Sequence, residues 1–266
     1  MPFLPKERAG HKTMERLYDR ADIYDLLQTE QKDGYVRRHW ETVLAGKDIH
    51  TLLDVSIGSG NQTLPLLELG VKVSGSDLSE AMLQRCREKA AARGHTLDLR
   101  VSDFRELEKN VPGPFDCVAS TGNSLPYVTN GEVLSVLDQM DSLVRPGGYL
   151  YFDVRNWERI LRTRQRFYLY NPVFHGEIRV NLVQAWDYHT DETMDFNLLF
   201  TFEKENKIVQ KEIFQEHYHP ISQRLLLDKL EKLGYEAPEI FCMPAYIGEF
   251  DPENHDWYAV IARKPR

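Results

Sequence analysis

Cysteine is scarce in this chain of 266 residues: there are three, Cys86, Cys117 and Cys242, far apart and without a CxxC pair. An odd count with no dense spacing argues against a disulfide framework and against a cysteine-built zinc site, and it suits a reducing compartment such as the cytoplasm. Long apolar runs are also missing, and none approaches the ~20 residues a membrane-crossing helix needs. The first residues, MPFLPKERAGHK, place charges where a leader would place apolar residues, so no secretory signal is expected. Positive charge is short as well: 33 Lys and Arg against 41 Asp and Glu leave a net charge of −8. That balance argues against a nucleic-acid partner. The one basic cluster is Arg159, Arg162, Arg164 and Arg166; it reads as a solvated helix end and loop, with a phosphate-binding strip as the alternative. There is no internal repeat, no low-complexity tract and no separating linker. No GxSxG turn and no Cys–His arrangement points to a nucleophilic hydrolase.

What is present is a foldable core, with 42% hydrophobic and 11% aromatic residues. Length allows one large core, or one core and a modest lid. Met14, Leu17, Ala21, Tyr24 and Leu27 recur at helical spacing, and a second periodic stretch runs from Tyr35 to Leu44 before Gly46. The texture then becomes strand and helix in alternation. Thr51–Val55 is a short apolar strand, Thr63–Leu69 a helix stopped by Gly70, and Val71–Ser74 the next strand, closed by Asp77. Ser79 is an N-cap for a helix reaching Arg93, with Gly94 as its stop. Leu97–Val101 and Phe115–Ala119 read as strands, Glu132–Leu143 as an amphipathic helix, Pro146-Gly147-Gly148 as a turn and Tyr149–Asp153 as a fifth strand. Buried strands alternating with helices imply a parallel sheet covered on both faces. After Arg155 the pattern changes. Ile178, Val180 and Leu182, then Phe196, Leu198, Phe200 and Phe202, alternate with polar residues, as antiparallel strands with one wet face do. A helix over Ser222–Leu233, stopped by Gly234, and a strand over Tyr258–Ala262 follow.

The chemical signal is LLDVSIGSG followed by GVKVSGSDLSEAML. Gly58 and Gly60 let a ligand approach the backbone without striking a Cβ, and an acid after the second strand, Asp77, accepts hydrogen bonds from a ribose diol. A nicotinamide dinucleotide site uses the same parts, and so does a tight turn that binds nothing. Thr63 stands where the dinucleotide fingerprint has its third glycine, which weighs against a pyrophosphate. Asp54 is placed to orient the loop or to meet a cationic cofactor. Ser102-Asp103-Phe104 follows the third strand, where Asp103 and Phe104 suit an adenine edge; the plain alternative for Asp103 is a helix cap.

At this point the chain resembles the class I S-adenosylmethionine-dependent methyltransferases. DVSIGSGNQT is similar to their first motif, GSDLSEAML to their acidic loop, FDCVASTGNS to their fourth-strand motif and LVRPGGYLYFD to their fifth-strand entry. Within that class, TGNSLPYV and DVRNWERIL resemble the glycine and sarcosine N-methyltransferases, as does QEHYHPISQRLLLDKLEKLGY. The resemblance implies an α/β Rossmann-like seven-stranded sheet with helices on both faces and an antiparallel β lid insertion. It implies one domain over 1–266: a helical N-terminal cap at 1–50, a cofactor-binding core at 51–156, the lid at 170–220, and a last helix and strands at 221–266. S-adenosylmethionine would be the cofactor, S-adenosylhomocysteine the product and a small molecule the acceptor, with neither nucleic acid nor membrane as partner. Asp54, Ser56, Gly58, Gly60, Asn61, Asp77, Leu78, Met82, Asp103, Phe104, Thr121 and Gly122 would line the cofactor. Asn123, Tyr127, Arg155 and Tyr218 would serve catalysis, and Tyr18, Tyr24, Asn123, Arg155, Tyr168 and Tyr218 would contact the acceptor. An amino sugar or a natural-product hydroxyl is the alternative acceptor; a non-catalytic cofactor-binding subunit is the alternative to an enzyme.

Physical roles agree with this reading. Methyl transfer from a sulfonium is an in-line displacement with a neutral leaving group, so positioning matters more than acid–base power. Asn123, through its side-chain carbonyl, can orient an amine. Arg155, after the fifth strand, matches a carboxylate, with an ion pair to Asp153 or a neighbouring glutamate as the alternative. His217 and His219 imitate a metal pair but show no acidic partner at strand spacing, so no metal is expected. Trp157, Trp186 and Phe200 read as packing.

Overall fold

The computed structural model describes residues 16–266, so the expectation resting on Met14 falls outside the described residues. Two compact units emerge, one of residues 28–164 with 219–266 and the other of residues 16–27 with 165–218. The strands in chain order are β1 (Thr51–Asp54), β2 (Lys72–Asp77), β3 (Asp98–Val101), β4 (Phe115–Ser120), β5 (Val144–Arg155) and β6 (Phe167–Leu169). They continue as β7 (Val173–His175), β8 (Ile178–Tyr188), β9 (Met194–Lys204), β10 (Lys207–Tyr218), β11 (Glu236–Cys242) and β12 (Trp257–Arg263).

The larger unit holds a seven-stranded sheet in the order β11-β12-β5-β4-β1-β2-β3. β1 through β5 run parallel, while β12 pairs antiparallel with β5 and β11 with β12. The chain moves outward from β1 to β3 and then returns to β1's other side with β4. That reversal of winding opens a crevice past the carboxyl ends of β1 and β4, the place where open α/β sheets take ligands. The inner strands are buried on both faces because helices cover both. Glu30–Leu44 buries His39, Trp40 and Val43; Glu80–Ala92, capped by Ser79, buries Met82, Leu83, Cys86 and Ala90. Asn130–Leu143 opens with a Thr129–Glu132 capping box and buries Val133, Val136, Leu137 and Met140, one stripe at helical spacing.

Some expectations shift. The segment after β1 tightens to a 3-10 turn over Leu64–Leu69, and Pro146-Gly147-Gly148 lies inside β5, which begins at Val144, rather than forming a separate turn. β11, one of the strands implied after the last helix, has no pattern of its own in the sequence: it is an edge strand, mostly exposed, with Pro238 in it and an irregular register, so it lacks the apolar alternation of an inner strand. The helical spacing of Leu17, Ala21, Tyr24 and Leu27 yields not one helix but short pieces, Leu17–Asp19, Ala21–Tyr24 and Asp25–Leu27.

The smaller unit is an antiparallel sheet in the order β10-β9-β8-β6, with β7 also paired to β8. Burial alternates strictly along β8 and β9. Val180, Leu182, Leu198, Phe200, Phe202 and Phe214 share one cluster with Leu17 and Ile23. Residues 16–27 therefore supply apolar surface to this sheet, whereas Glu30–Leu44 packs on the seven-stranded one. Among the described residues, no helix is long and apolar enough to cross a membrane.

Candidate active site

The loop after β1 is organised by Asp54, which is fully buried. One carboxylate oxygen accepts the Ser56 N–H at 3.1 Å; the other accepts the Thr121 hydroxyl at 2.7 Å and the Thr63 hydroxyl. Burial raises its pKa against the pull of those donors. Asp54 thus clips together the ends of β1 and β4 and the start of the 3-10 turn, which is the loop-orienting alternative. Thr63, the residue in the third-glycine position, is one of its partners. Ser56 links the same segments, accepting the Thr121 N–H at 3.2 Å.

Two glycines and one isoleucine set how closely this loop lies on β2. The Ile57 N–H donates to the Ser76 carbonyl at 3.0 Å. A Cβ on Gly75 would stand 2.5 Å from Ile57 Cδ1, so only glycine lets the loop settle there. Gly60 has φ +81°, and a Cβ on it would stand 2.6 Å from Leu64 Cγ. Gly58 differs: nothing lies closer to its Cβ position than Met82 Cε at 4.0 Å, which leaves a side-chain-sized space beside its backbone. Asn61 is tied to Lys89.

Asp77 ends β2. Its two oxygens accept the Gly58 and Ser79 N–H groups, both at 2.9 Å. A carboxylate has about four lone-pair directions, so these backbone donors hold it in place without exhausting it. Burial raises its pKa. Leu78 beside it is 63% exposed, while Met82 is fully buried. The Ser102 N–H donates to the Asp77 carbonyl at 3.0 Å, which brings the loop after β3 to the same edge. There Asp103 is a cap: it accepts the Arg105 N–H at 2.9 Å and pairs with the Arg105 guanidinium at 2.6 Å. That guanidinium lowers its pKa. Phe104 is half-buried in the turn that Asp103 caps.

At the ends of β4 and β5, Asn123 adopts φ +62°, and its side-chain carbonyl accepts the Arg155 backbone N–H at 2.9 Å. That oxygen, the one suited to orienting an amine, joins the two loops and keeps a second lone pair. Arg155 is 7% exposed, with its guanidinium 4.7 Å from the centre of the Trp257 ring. Tyr127 is half-buried in the turn Leu125–Tyr127.

The residue that sequence reasoning undervalued is Asp153. It is buried, accepts the Gly122 N–H and the Trp257 indole N–H, each at 3.0 Å, and stands 3.4 Å from the Tyr151 hydroxyl. Desolvation pushes its pKa up to about 7. Behind it, Tyr151 Oη lies 2.9 Å from His39 Nε2, and the Ala245 N–H donates to His39 Nδ1 at 2.8 Å. That backbone donor makes Nδ1 an acceptor, so Nε2 carries the proton and donates to Tyr151, whose own hydroxyl is left to donate to Asp153. Sequence patterning hides this network, because Asp153 sits in a strand that otherwise reads as core.

The remaining residues belong to the antiparallel unit. Tyr18 and Tyr24 pair at 5.6 Å. Tyr168 stacks on Trp186 at 5.8 Å, Trp186 on Phe196 at 4.6 Å, and Tyr218 meets Phe196 edge-on at 4.8 Å. His219 lies past the end of β10, so it does not share a strand face with His217.

A seven-stranded sheet with its last strands reversed, a glycine turn after β1 and a carboxylate after β2 define an α/β enzyme that binds a nucleoside at its crevice. A family model described as a methyltransferase domain matches residues 52–148. A ubiquinone biosynthesis O-methyltransferase from Nitrosococcus oceani is 30% identical over 233 residues, which is 87% of this chain and 91% of that protein. A glycine/sarcosine N-methyltransferase from Halorhodospira halochloris is 33% identical over 111 residues, which is 41% of this chain and 41% of that protein. Among solved structures, CalS10 with bound S-adenosylmethionine, an amino pentose methyltransferase from Micromonospora echinaspora, shares the fold. Its TM-score is 0.68 at 15% identity, over 96% of this chain and all of that one. The chain belongs to the class I S-adenosylmethionine-dependent methyltransferases. Its cofactor is S-adenosylmethionine, and the space beside Gly58 and the held carboxylate of Asp77 fit that group.

Proposed function

We propose that this chain methylates an amine on a small, carboxylate-bearing, glycine-like acceptor. The observation behind the reading is Arg155, a nearly buried guanidinium at the carboxyl end of β5, on the ligand-binding edge of the sheet. A planar cation there matches a carboxylate in a way that a sugar hydroxyl does not require. The partial likeness to glycine/sarcosine N-methyltransferases supports the same acceptor class, although the chain spans less than half of the Halorhodospira relative.

When bound, the cofactor supplies a methyl group on a sulfonium. In this reading Asp77 holds the ribose diol, Gly58 and Gly60 give the backbone close approach, and Leu78, Met82, Phe104, Asp103 and Ser102 flank the adenine. Asp54, Ser56 and Asn61 brace that loop. Thr121 and Gly122 run along the cofactor, and Asn123 and Asp153 fix the loop that faces the acceptor. Arg155 takes the acceptor's carboxylate. Tyr127 adds to the acceptor contacts. Buried free thiols at Cys86, Cys117 and Cys242 suit a reducing compartment.

The test compares an amino acid with its amide as acceptor. The wild type prefers the acid, and Arg155→Lys raises its KM while cofactor affinity stays put, because lysine keeps the charge and loses the planar fork. Equal use of acid and amide by the wild type overturns the reading. A second acceptor class, a hydroxyl, is favoured by the O-methyltransferase relative that matches most of this chain; turnover of phenols but not amines in the same assay selects it.

A further inference from the structure

We infer that the hairpin end of the antiparallel sheet is a binding site for a divalent transition cation, with His189, Asp195 and His217 as its protein ligands. The ring nitrogens of the two histidines and a carboxylate oxygen of Asp195 all lie within 4.8 Å of one another. His217 Nδ1 is 2.6 Å from Asp195 Oδ1, and His189 Nε2 is 3.1 Å from Asp195 Oδ2. A tetrahedral cation with bonds of about 2.0–2.2 Å needs ligand atoms roughly 3.3 Å apart, a spacing that small side-chain rotations reach from a set already within 4.8 Å.

Strand geometry builds the cluster. Asp195 on β9 and His217 on β10 are direct cross-strand partners. Burial alternates around both of them, so they stand on the face opposite the Phe196–Tyr218 contact. His189 follows β8 and is held by its N–H to the Thr193 carbonyl at 3.0 Å, which closes the turn between β8 and β9. The three groups come from the ends of three neighbouring strands, and for this reason no single-strand spacing revealed them. A second acid nearby, Asp187, is already engaged by Arg166 and by Asn197 Nδ2 at 2.7 Å, which leaves two imidazoles and one carboxylate as the donor set.

That set selects the ion. Two nitrogens and one oxygen suit Zn2+, Co2+ or Ni2+ and are too poor in oxygen for Mg2+ or Ca2+. On binding, each imidazole is neutral and coordinates through the nitrogen now turned to Asp195, and its proton sits on the opposite ring nitrogen. The carboxylate trades its contacts with the two imidazoles for the cation. The side chains of His189 and His217 are 40% and 51% exposed, so water reaches the remaining coordination positions. The cation would pin the ends of β8, β9 and β10 together.

The experiment is a titration of the full chain, stripped with chelator, with Zn2+ by calorimetry and with Co2+ by visible absorbance and paramagnetic NMR of the histidine resonances. The expected result is one ion per chain, Co2+ perturbing His189 and His217, and affinity at least about tenfold weaker in His189→Gln, Asp195→Asn and His217→Gln. Asp187→Asn serves as the control and keeps wild-type affinity. Circular dichroism in chelator confirms that each variant is folded. Wild-type affinity in both histidine variants places the ion elsewhere among the chain's nine histidines and overturns the site. So does the absence of stoichiometric binding by the wild type.

Discussion

His39 and Asp153 stand at opposite ends of one buried hydrogen-bond chain, joined by the hydroxyl of Tyr151, which lies 2.9 Å from His39 Nε2 and 3.4 Å from Asp153 Oδ2. Burial pushes the two in opposite directions: His39 is lowered to about 4 and Asp153 raised to about 7. Both shifts disfavour charge in the fold, yet their effects on stability run against each other.

The signs follow from proton uptake. Between pH 4 and about 6.5 the unfolded chain protonates His39 and the fold does not, so this residue makes stability rise with pH. Between about 3.8 and 7 the fold keeps a proton on Asp153 that the unfolded chain has lost, so this residue makes stability fall with pH. The two slopes oppose each other across pH 4 to 6.5. Relative to the wild type, Asp153→Asn should gain a rising slope in thermal midpoint over that window, and His39→Gln a falling one. Midpoints measured from pH 4.5 to 7.5 check this, and parallel curves for all three proteins contradict it.

Gly75 touches no ligand in this account, yet it sets the loop that does. In Gly75→Ala the new Cβ meets Ile57 at 2.5 Å, so the loop after β1 must lift from β2. We expect cofactor affinity to fall by about tenfold or more, with a stability loss of roughly 1–3 kcal/mol for overpacking. The double variant Gly75→Ala with Ile57→Val removes part of the clash and should recover part of the affinity. Calorimetric titration of S-adenosylmethionine into both proteins reads it.

Asn123 separates backbone from side chain. Asn123→Ala strands the buried Arg155 N–H, at a cost of about 1–3 kcal/mol, and forces alanine into φ +62°. Asn123→Gly loses the same bond but accepts that φ. The glycine variant should therefore unfold at the higher temperature of the two, with both below the wild type. The reverse order would show that the loop leaves its left-handed conformation in solution.

The seven-stranded sheet was legible because its inner strands are short apolar runs, β1 and β2 each ended by an acid, and Ser79, Gly70 and Gly94 mark helix ends by local chemistry. The carboxylate of Asp77 was legible for the same reason, since the turn that positions it is local in sequence. The network of Ala245, His39, Tyr151 and Asp153 was not, because its members are brought together by β5 and by a helix more than 100 residues away. The bond between Asn123 and the Arg155 backbone was not legible either, because a backbone N–H partner leaves no mark in sequence. The grouping of His189, Asp195 and His217 was not legible, because cross-strand register depends on hairpin length rather than on spacing within one strand.

The central claim is that the glycine turn after β1 and the carboxylate of Asp77 hold S-adenosylmethionine. Calorimetric titration of the wild type and Asp77→Ala tests it most directly. The wild type should bind S-adenosylmethionine and S-adenosylhomocysteine at one site per chain and should not bind NAD. Charge-assisted hydrogen bonds are worth about 1.5–3 kcal/mol each, so Asp77→Ala should lose at least about tenfold in affinity for both. Undiminished affinity in Asp77→Ala, or NAD binding as tightly as S-adenosylmethionine, would contradict the account.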